Sequence, residues 1–229
     1  MLARLRCSFS DRRIALVASL VFLSLFVVAM IAFRVLYTDT SEHAAIAWNL
    51  LLAWIPFALA LLVYDRARSG LRSPALASAA GLLWLVFLPN APYLVTDLKH
   101  VGSGGGVPVL YDVMLLSAAA WAGLLLGLTS LYLMHAVARR LVGTTTAWVL
   151  ATATLALSSF GIYLGRVHRW NSWDVFVRPR PLVEAIADGV LDPLGHPRPI
   201  AVTVLFTSFL LASYLVFYSL ARLNSLLDE

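Results

Sequence analysis

Six long apolar runs constrain this chain more than any other feature. A helix needs about 20 consecutive apolar residues to cross the ~30 Å hydrocarbon core of a bilayer. Of the 229 residues, 61% are hydrophobic and only 13% are charged, whereas soluble domains are about 25% charged. The sequence therefore predicts an all-α, polytopic transmembrane bundle that forms one integral membrane domain over residues 1–229. The six spans lie at about 14–35, 43–63, 75–95, 107–133, 146–164 and 200–220.

The first run follows a basic segment that ends in Arg12 and Arg13, and a secretory signal peptide begins in a similar way. The apolar part of a signal peptide, however, is only ~7–15 residues long and precedes a small-residue cleavage site. This run is longer, and no convincing site of that kind follows it. We expect it to remain as an uncleaved membrane anchor.

The third run is interrupted by Pro89 and Pro92. Proline lacks a backbone N–H and kinks or breaks a helix. The span therefore either ends in a partly unwound stretch or continues bent to about Val95. Irregular backbone at that depth is tolerated only where it is buried in protein or lines a wet cavity.

Positive charge between the runs predicts the orientation, because cytoplasmic loops carry an excess of Lys and Arg. The N-terminal segment, the loop at 65–73, the loop after the fourth run and the C-terminal tail all carry arginines. They fall on one side, which predicts that both termini are cytoplasmic. The loop at 165–199 is the exception, since it is basic yet falls on the outer side. We also expect a short amphipathic surface helix in this loop, after Pro181.

The net charge of +5 does not indicate a nucleic-acid partner. The basic residues form short clusters between apolar runs, as topology signals do. Membrane lipids are the expected partners, while protein partners and any cofactor stay unknown. The single cysteine, Cys7, excludes an intramolecular disulfide. The serine elbow, the HExxH zinc motif and the dinucleotide fingerprint are absent from the sequence, which leaves open whether the chain is an enzyme.

Polar residues inside the runs concentrate at one predicted level, the outer leaflet. Asn49, Asn90 and Asp112 fall there, Asp97 lies just above the third run, and the fifth run leads directly into Gly165 and Arg166. A carboxylate in an apolar span costs about 2.5–3.5 kcal/mol on insertion scales, which makes it a functional candidate. The inner halves of the runs carry no comparable set, so we expect plain anchoring there.

These residues divide into two predicted roles. Asp97 and Asp112 are the candidate catalytic carboxylates, as a general acid or base or as a metal ligand. Arg166 and Arg169 are the expected partners of Asp112. A purely structural pairing of Asp112 with an arginine competes closely with that role. The candidate ligand-binding residues are Asn90, Tyr93, Arg166, Arg169, Asn171 and Asp174.

A metal site is a weaker hypothesis. Asp97 and His100 are three residues apart and face one way on a helical turn, and His168 falls on the same predicted side. Two or three ligands without a recognised spacing are a weak signal. Two glycine pairs, Gly123 with Gly127 and Gly161 with Gly165, are instead typical of close helix packing.

Three sequence blocks carry a resemblance: Phe87 to Leu98, Tyr111-Asp112, and Gly161 to Arg166 with Arg169 to Asp174. In combination they resemble one family, a bacterial multi-pass membrane family known as domain of unknown function 1361. The resemblance covers most of the chain, from about the second run to the sixth. It implies a bacterial inner-membrane protein with no assigned activity. Where this chain has Leu110 before the Tyr–Asp pair, the family usually has tryptophan.

Three functions remain open from sequence. The first is a protein that binds or modifies an anionic lipid headgroup at the outer leaflet, with Arg166 and Arg169 as charged donors. The second is a transporter or channel, although no internal repeat is visible. The third is a structural or assembly subunit in which the polar groups form an internal ion-pair network.

Overall fold

A computed structural model describes residues 2–41, 43–70, 74–103, 105–167, 170, 172, 174–177, 180–181 and 197–226. The described part of the chain is helical and contains no strand. The helices are α1 (Leu2–Thr38), α2 (Ala44–Arg68), α3 (Pro74–Phe87), α4 (Asn90–Tyr93), a 3-10 segment (Leu94–His100), α5 (Val109–Val142), α6 (Thr144–Val167), α7 (Asp174–Val177) and α8 (Pro197–Leu226).

Six helical segments in the described residues are long and apolar enough to cross a membrane. They coincide with the six apolar runs, and the predicted all-α fold with six candidate spans is confirmed. The chain is therefore a multi-pass membrane protein. The third candidate span, Ala75–His100, combines α3, α4 and the 3-10 segment. The amphipathic helix predicted after Pro181 lies outside the described residues.

Helix α5 occupies the centre of the bundle. It contacts α1, α2, α4, the 3-10 segment, α6 and α8, and half of its most apolar 18-residue window is buried. The same window is only 17% buried in α1 and 11% buried in α8. These two helices therefore lie at the periphery, where lipid would cover their exposed apolar side chains.

Ion pairs between helices identify the two ends of the bundle. The end of α1 pairs with the start of α5 through Arg34 and Asp112, and the 3-10 segment pairs with the end of α6 through Asp97. We call this the Asp97 end. At the other end, the Arg13 end, the start of α1 pairs with the end of α2 through Arg13 and Asp65.

Candidate functional site

The third span is interrupted where the sequence places its prolines. Helix α3 ends at Phe87, and backbone hydrogen bonds resume from Ala91 to Leu88 and from Tyr93 to Pro89. Asn90 donates its amide to the carbonyl oxygen of Phe87 at 2.9 Å and to Ser172 Oγ at 2.7 Å. Asn90, which is predicted to bind a ligand, thus hydrogen-bonds a backbone carbonyl group at the interruption. It also links the interrupted segment to Ser172, after α6.

Two glycine pairs hold this interrupted segment. On α5, an added methyl at Gly123 would overlap the carbonyl oxygen of Ala91, and one at Gly127 would lie 3.2 Å from Ala91 Cβ. On α6, a methyl at Gly161 would lie 2.8 Å from Pro89 Cγ. The close packing expected of these glycines is therefore present, and it fixes the irregular backbone between two helices.

The 3-10 segment carries one of the two ion pairs at this end. Arg166 Nη1, on α6, lies 3.1 Å from Asp97 Oδ1 and 3.2 Å from Tyr93 Oη. Arg166 Nη2 donates to the carbonyl oxygen of Thr96, and the guanidinium lies 5.2 Å from the centroid of the Tyr93 ring. Asn49 on α2 donates to Asp97 Oδ2 at 3.3 Å. Four of the polar residues singled out from the sequence thus meet in one cluster, the Asp97 cluster: Asn49, Tyr93, Asp97 and Arg166.

Asp112 belongs to a different ion pair. Arg34 Nε on α1 donates to Asp112 Oδ1 at 2.7 Å, and Arg34 Nη2 donates to Asp112 Oδ2 at 3.3 Å and to the carbonyl oxygen of Ser103 at 2.7 Å. The prediction that Asp112 pairs with Arg166 is wrong, because Arg166 pairs with Asp97. Sequence reasoning missed Arg34, although it is the one charged residue within the first apolar run.

Access to solvent separates the two pairs. The side chains of Arg34 and Asp112 are 0% and 1% exposed, so this pair is sealed inside the protein. The side chains of Arg166 and Asp97 are 20% and 5% exposed. Of these four side chains, only that of Arg166 is more than 5% exposed.

Several predicted site residues cannot be placed in this cluster. His168, Arg169 and Asn171 lie outside the described residues. His100 and Asp174 are described and half-buried. Within the described part of the chain, no group of three or more His, Cys, Asp or Glu side chains could hold a metal ion. The metal hypothesis depends on His168 and stays a prediction.

The Arg13 end contains a buried polar cluster that the sequence reasoning did not predict. His135 Nδ1 and Tyr214 Oη lie 2.7 Å apart, and Arg139 Nη1 donates to Tyr218 Oη at 2.9 Å. The expectation that this half carries no comparable polar set is therefore wrong, whereas plain anchoring as its role stays a prediction. The sequence does carry a signal for this cluster. His135 and Arg139 are four residues apart on α5, so they share a helix face. Tyr214 and Tyr218 have the same spacing on α8.

A family model described as "Protein of unknown function (DUF1361)" matches residues 48–213, well over half of the chain. The chain belongs to this family. No curated protein and no solved structure matches it. The DUF1361 match includes both members of the Asp97–Arg166 pair and Asp112, whereas Arg34 precedes it.

Proposed function

We propose that this DUF1361 protein binds the anionic headgroup of a membrane amphiphile at the Asp97 end, with Arg166 as the main cationic contact. The observation that carries the proposal is the partial exposure of the Arg166 side chain. Arg166 is the only arginine of the two ion pairs at this end whose side chain reaches the surface, at 20% exposure. The distribution of Lys and Arg along the chain favours an outer-leaflet position for this end.

The hydrogen bonds of Arg166 leave donors for a ligand. A guanidinium has five N–H groups in a rigid fork that suits carboxylate and phosphate oxygens. Tyr93, Asp97 and the Thr96 carbonyl accept from the two Nη atoms. Arg166 Nε is buried and has no acceptor among the described residues. An incoming oxygen anion would accept from the second N–H of Nη2. The adjacent Nε becomes a further donor only when the anion displaces the atoms that cover it.

Asp97 acts in this proposal as the counter-ion of Arg166. Its carboxylate is held by Arg166 and by Asn49, which fixes the guanidinium against Tyr93 before a ligand arrives. A group positioned in advance loses less conformational freedom on binding. A catalytic role for Asp97 or Asp112 remains a prediction.

A structural function is the second candidate, and it has its own observation. The sealed Arg34–Asp112 pair joins α1 to α5 with no exposed surface that a ligand could reach. We assign this pair to helix assembly. It fits the alternative in which buried ionic groups fix the arrangement of the helices.

The test compares lipid binding by Arg166→Gln and by a matched variant, Arg198→Gln. Arg198 is an exposed arginine near the start of α8, at the same end of the bundle. The delipidated full-length protein is titrated with phosphatidylglycerol or phosphatidylcholine of identical chains, and bound lipid is counted by native mass spectrometry. We expect Arg166→Gln to weaken one phosphatidylglycerol site about tenfold, which corresponds to about 1.4 kcal/mol. Arg198→Gln should bind as the wild type does.

Two results would overturn the proposal. The first is unchanged phosphatidylglycerol binding by an Arg166→Gln protein that is folded. The second is equal binding of water-soluble glycerol phosphate and of phosphatidylglycerol at the Arg166-dependent site, because it would assign the site to a soluble anion. A preference for the intact lipid that is lost in Arg166→Gln supports the proposal.

A further inference from the structure

A second feature of the molecule suggests a ligand, and it lies in the opposite half of the bundle. A groove of 1090 Å³ opens between the peripheral helices α1 and α8, with α5 as its floor. This volume lies slightly above the ~300–1,000 Å³ range of small-molecule sites. Trp121 and Phe209 line the part of the groove that is farther from the Arg13 end. Arg12, Arg13 and Ala221 line the part near the Arg13 end.

The walls of this groove are mainly apolar. Leu16 on α1 and Val216 on α8 line it and are 43% and 62% exposed, so the groove is open along its side. In a bilayer, an apolar groove open to the side is filled by hydrocarbon, because an empty space would forfeit dispersion contacts. An acyl chain therefore fits the part of the groove that is farther from the Arg13 end.

A polar group inside the groove indicates that the occupant is more than hydrocarbon. Thr129 lines the groove and is 4% exposed, and its Oγ1 has no hydrogen-bond partner among the described residues. Tyr132, one turn further along α5, lines the same wall. An unsatisfied buried hydroxyl is costly, and an ester oxygen of a glycerolipid would be an acceptor for it.

Charge at the Arg13 end selects an anionic headgroup. The described residues at the six span boundaries on this side include Arg12, Arg13 and five further arginines, at positions 66, 68, 139, 140 and 222, against the carboxylates Asp11 and Asp65. Arg13 pairs with Asp65 at 2.8 Å, yet both side chains remain more than a third exposed. Basic residues at a membrane surface attract anionic lipids.

We propose that this groove is a second, separate amphiphile site, which holds one anionic glycerophospholipid of the leaflet at the Arg13 end. One of its two acyl chains lies between α1 and α8, its ester region lies near Thr129 and Tyr132, and its phosphate lies near Arg12 and Arg13. This site shares no residue with the Asp97 cluster, so it stands or fails independently of the proposed function.

The experiment fills the groove from either wall. Leu16→Trp and Val216→Trp each place a large ring in it, and both positions are exposed enough to tolerate the change. The matched control is Val149→Trp on α6, which is 63% exposed and does not line the groove. Dioleoyl phosphatidylglycerol and dioleoyl phosphatidylcholine are titrated into each delipidated full-length protein, and bound lipid is counted by native mass spectrometry.

We expect each groove-filling variant to weaken one saturable phosphatidylglycerol site at least tenfold, while Val149→Trp binds as the wild type does. The double variant Arg12→Gln and Arg13→Gln should reduce phosphatidylglycerol affinity at that site to the level of phosphatidylcholine. Arg166→Gln should leave the site intact, which separates this test from that of the proposed function. Wild-type binding in both tryptophan variants would overturn the inference, as would equal affinity of the wild-type site for the two lipids.

Discussion

The two ion pairs at the Asp97 end use the same chemistry in different surroundings. Arg34 and Asp112 are joined by two hydrogen bonds and sealed from solvent, whereas Arg166 and Asp97 are joined by one and the Arg166 side chain is 20% exposed. A sealed pair has no route for a ligand and is committed to holding helices together. A pair at the surface can exchange one partner for another. Residue type alone therefore does not distinguish the carboxylate of a sealed pair from that of the pair at the proposed ligand site.

The difference in burial also predicts that the two ion pairs contribute unequally to the stability of the protein. Removing one member of a buried pair leaves the other charge unpaired in a medium of low polarity, which costs about 3–5 kcal/mol. Water and neighbouring groups can compensate an exposed charge in part. The contrast between the two pairs can accordingly be tested through the stability of matched variants.

The largest effect is expected for Asp112→Asn. The variant keeps the shape of the side chain but leaves the Arg34 charge buried without its carboxylate, so the free energy of unfolding should fall by about 3–5 kcal/mol. Thermal unfolding in a fixed detergent micelle measures the loss. The control is Asp65→Asn in the exposed Arg13–Asp65 pair, where a change of no more than about 1 kcal/mol is expected. Equal losses in the two variants would contradict the distinction by burial.

Arg166→Gln should lower stability less than Asp112→Asn does. The substitution removes charge-assisted hydrogen bonds to Asp97, Tyr93 and Thr96, and such a bond contributes roughly 1.5–3 kcal/mol. Because the pair is partly exposed, the loss in the free energy of unfolding should lie near the lower value of this range. The same thermal unfolding measurement applies, and a loss as large as that of Asp112→Asn would show that the Asp97 pair is structural in the same sense as the sealed pair.

Gly123→Ala should disturb the Asp97 cluster and spare the sealed pair. The added methyl meets backbone, the carbonyl oxygen of Ala91, and overpacking of this kind costs about 1–3 kcal/mol. The control is Gly81→Ala on α3, where the methyl meets only the end of the Met134 side chain at 3.8 Å. Alanine favours a helix over glycine by roughly 0.5–1 kcal/mol, so the control should be neutral or stabilising. Phosphatidylglycerol binding at the Arg166 site should weaken in Gly123→Ala alone.

The smallest effect is expected for Asn49→Ala, which removes one 3.3 Å hydrogen bond to Asp97. The loss should be about 0.5–1.5 kcal/mol. Combining it with Arg166→Gln should give a non-additive change, because both residues bind the same carboxylate. Combining it with Asp112→Asn should be additive, since that residue belongs to the other pair. Coupling between Asn49 and Asp112 would show that the two pairs act as one network.

Much of the architecture was predictable because the bilayer sets a fixed length for each apolar run. The six runs reappear as six candidate spans, and the prolines of the third run mark the place where α3 ends. The spacing of the glycine pairs also predicted close packing, since residues four apart share a helix face. The estimated depths of Asn49, Asp97 and Arg166 in their spans predicted that these residues lie at one level, and the structure joins them by hydrogen bonds.

The partners of the charged residues were less predictable. Asp112 was expected to meet Arg166, yet it pairs with Arg34, 78 positions earlier in the chain. Estimated depth gives the height of a residue along its helix but not the direction in which the helix presents it. The buried cluster of His135, Arg139, Tyr214 and Tyr218 was missed for the same reason. Its members become neighbours only through the packing of α5 against α8.

The sequence by itself determined that this protein is a helical membrane protein, how many candidate spans it has, where the third is interrupted and which end carries intramembrane carboxylates. These features depend on local hydrophobicity and on residues a few positions apart. Only the tertiary structure decided which arginine neutralises which aspartate, which pair is sealed and where a groove opens between α1 and α8. Those outcomes depend on the rotation and neighbours of each helix, which are fixed by side-chain packing along the whole bundle.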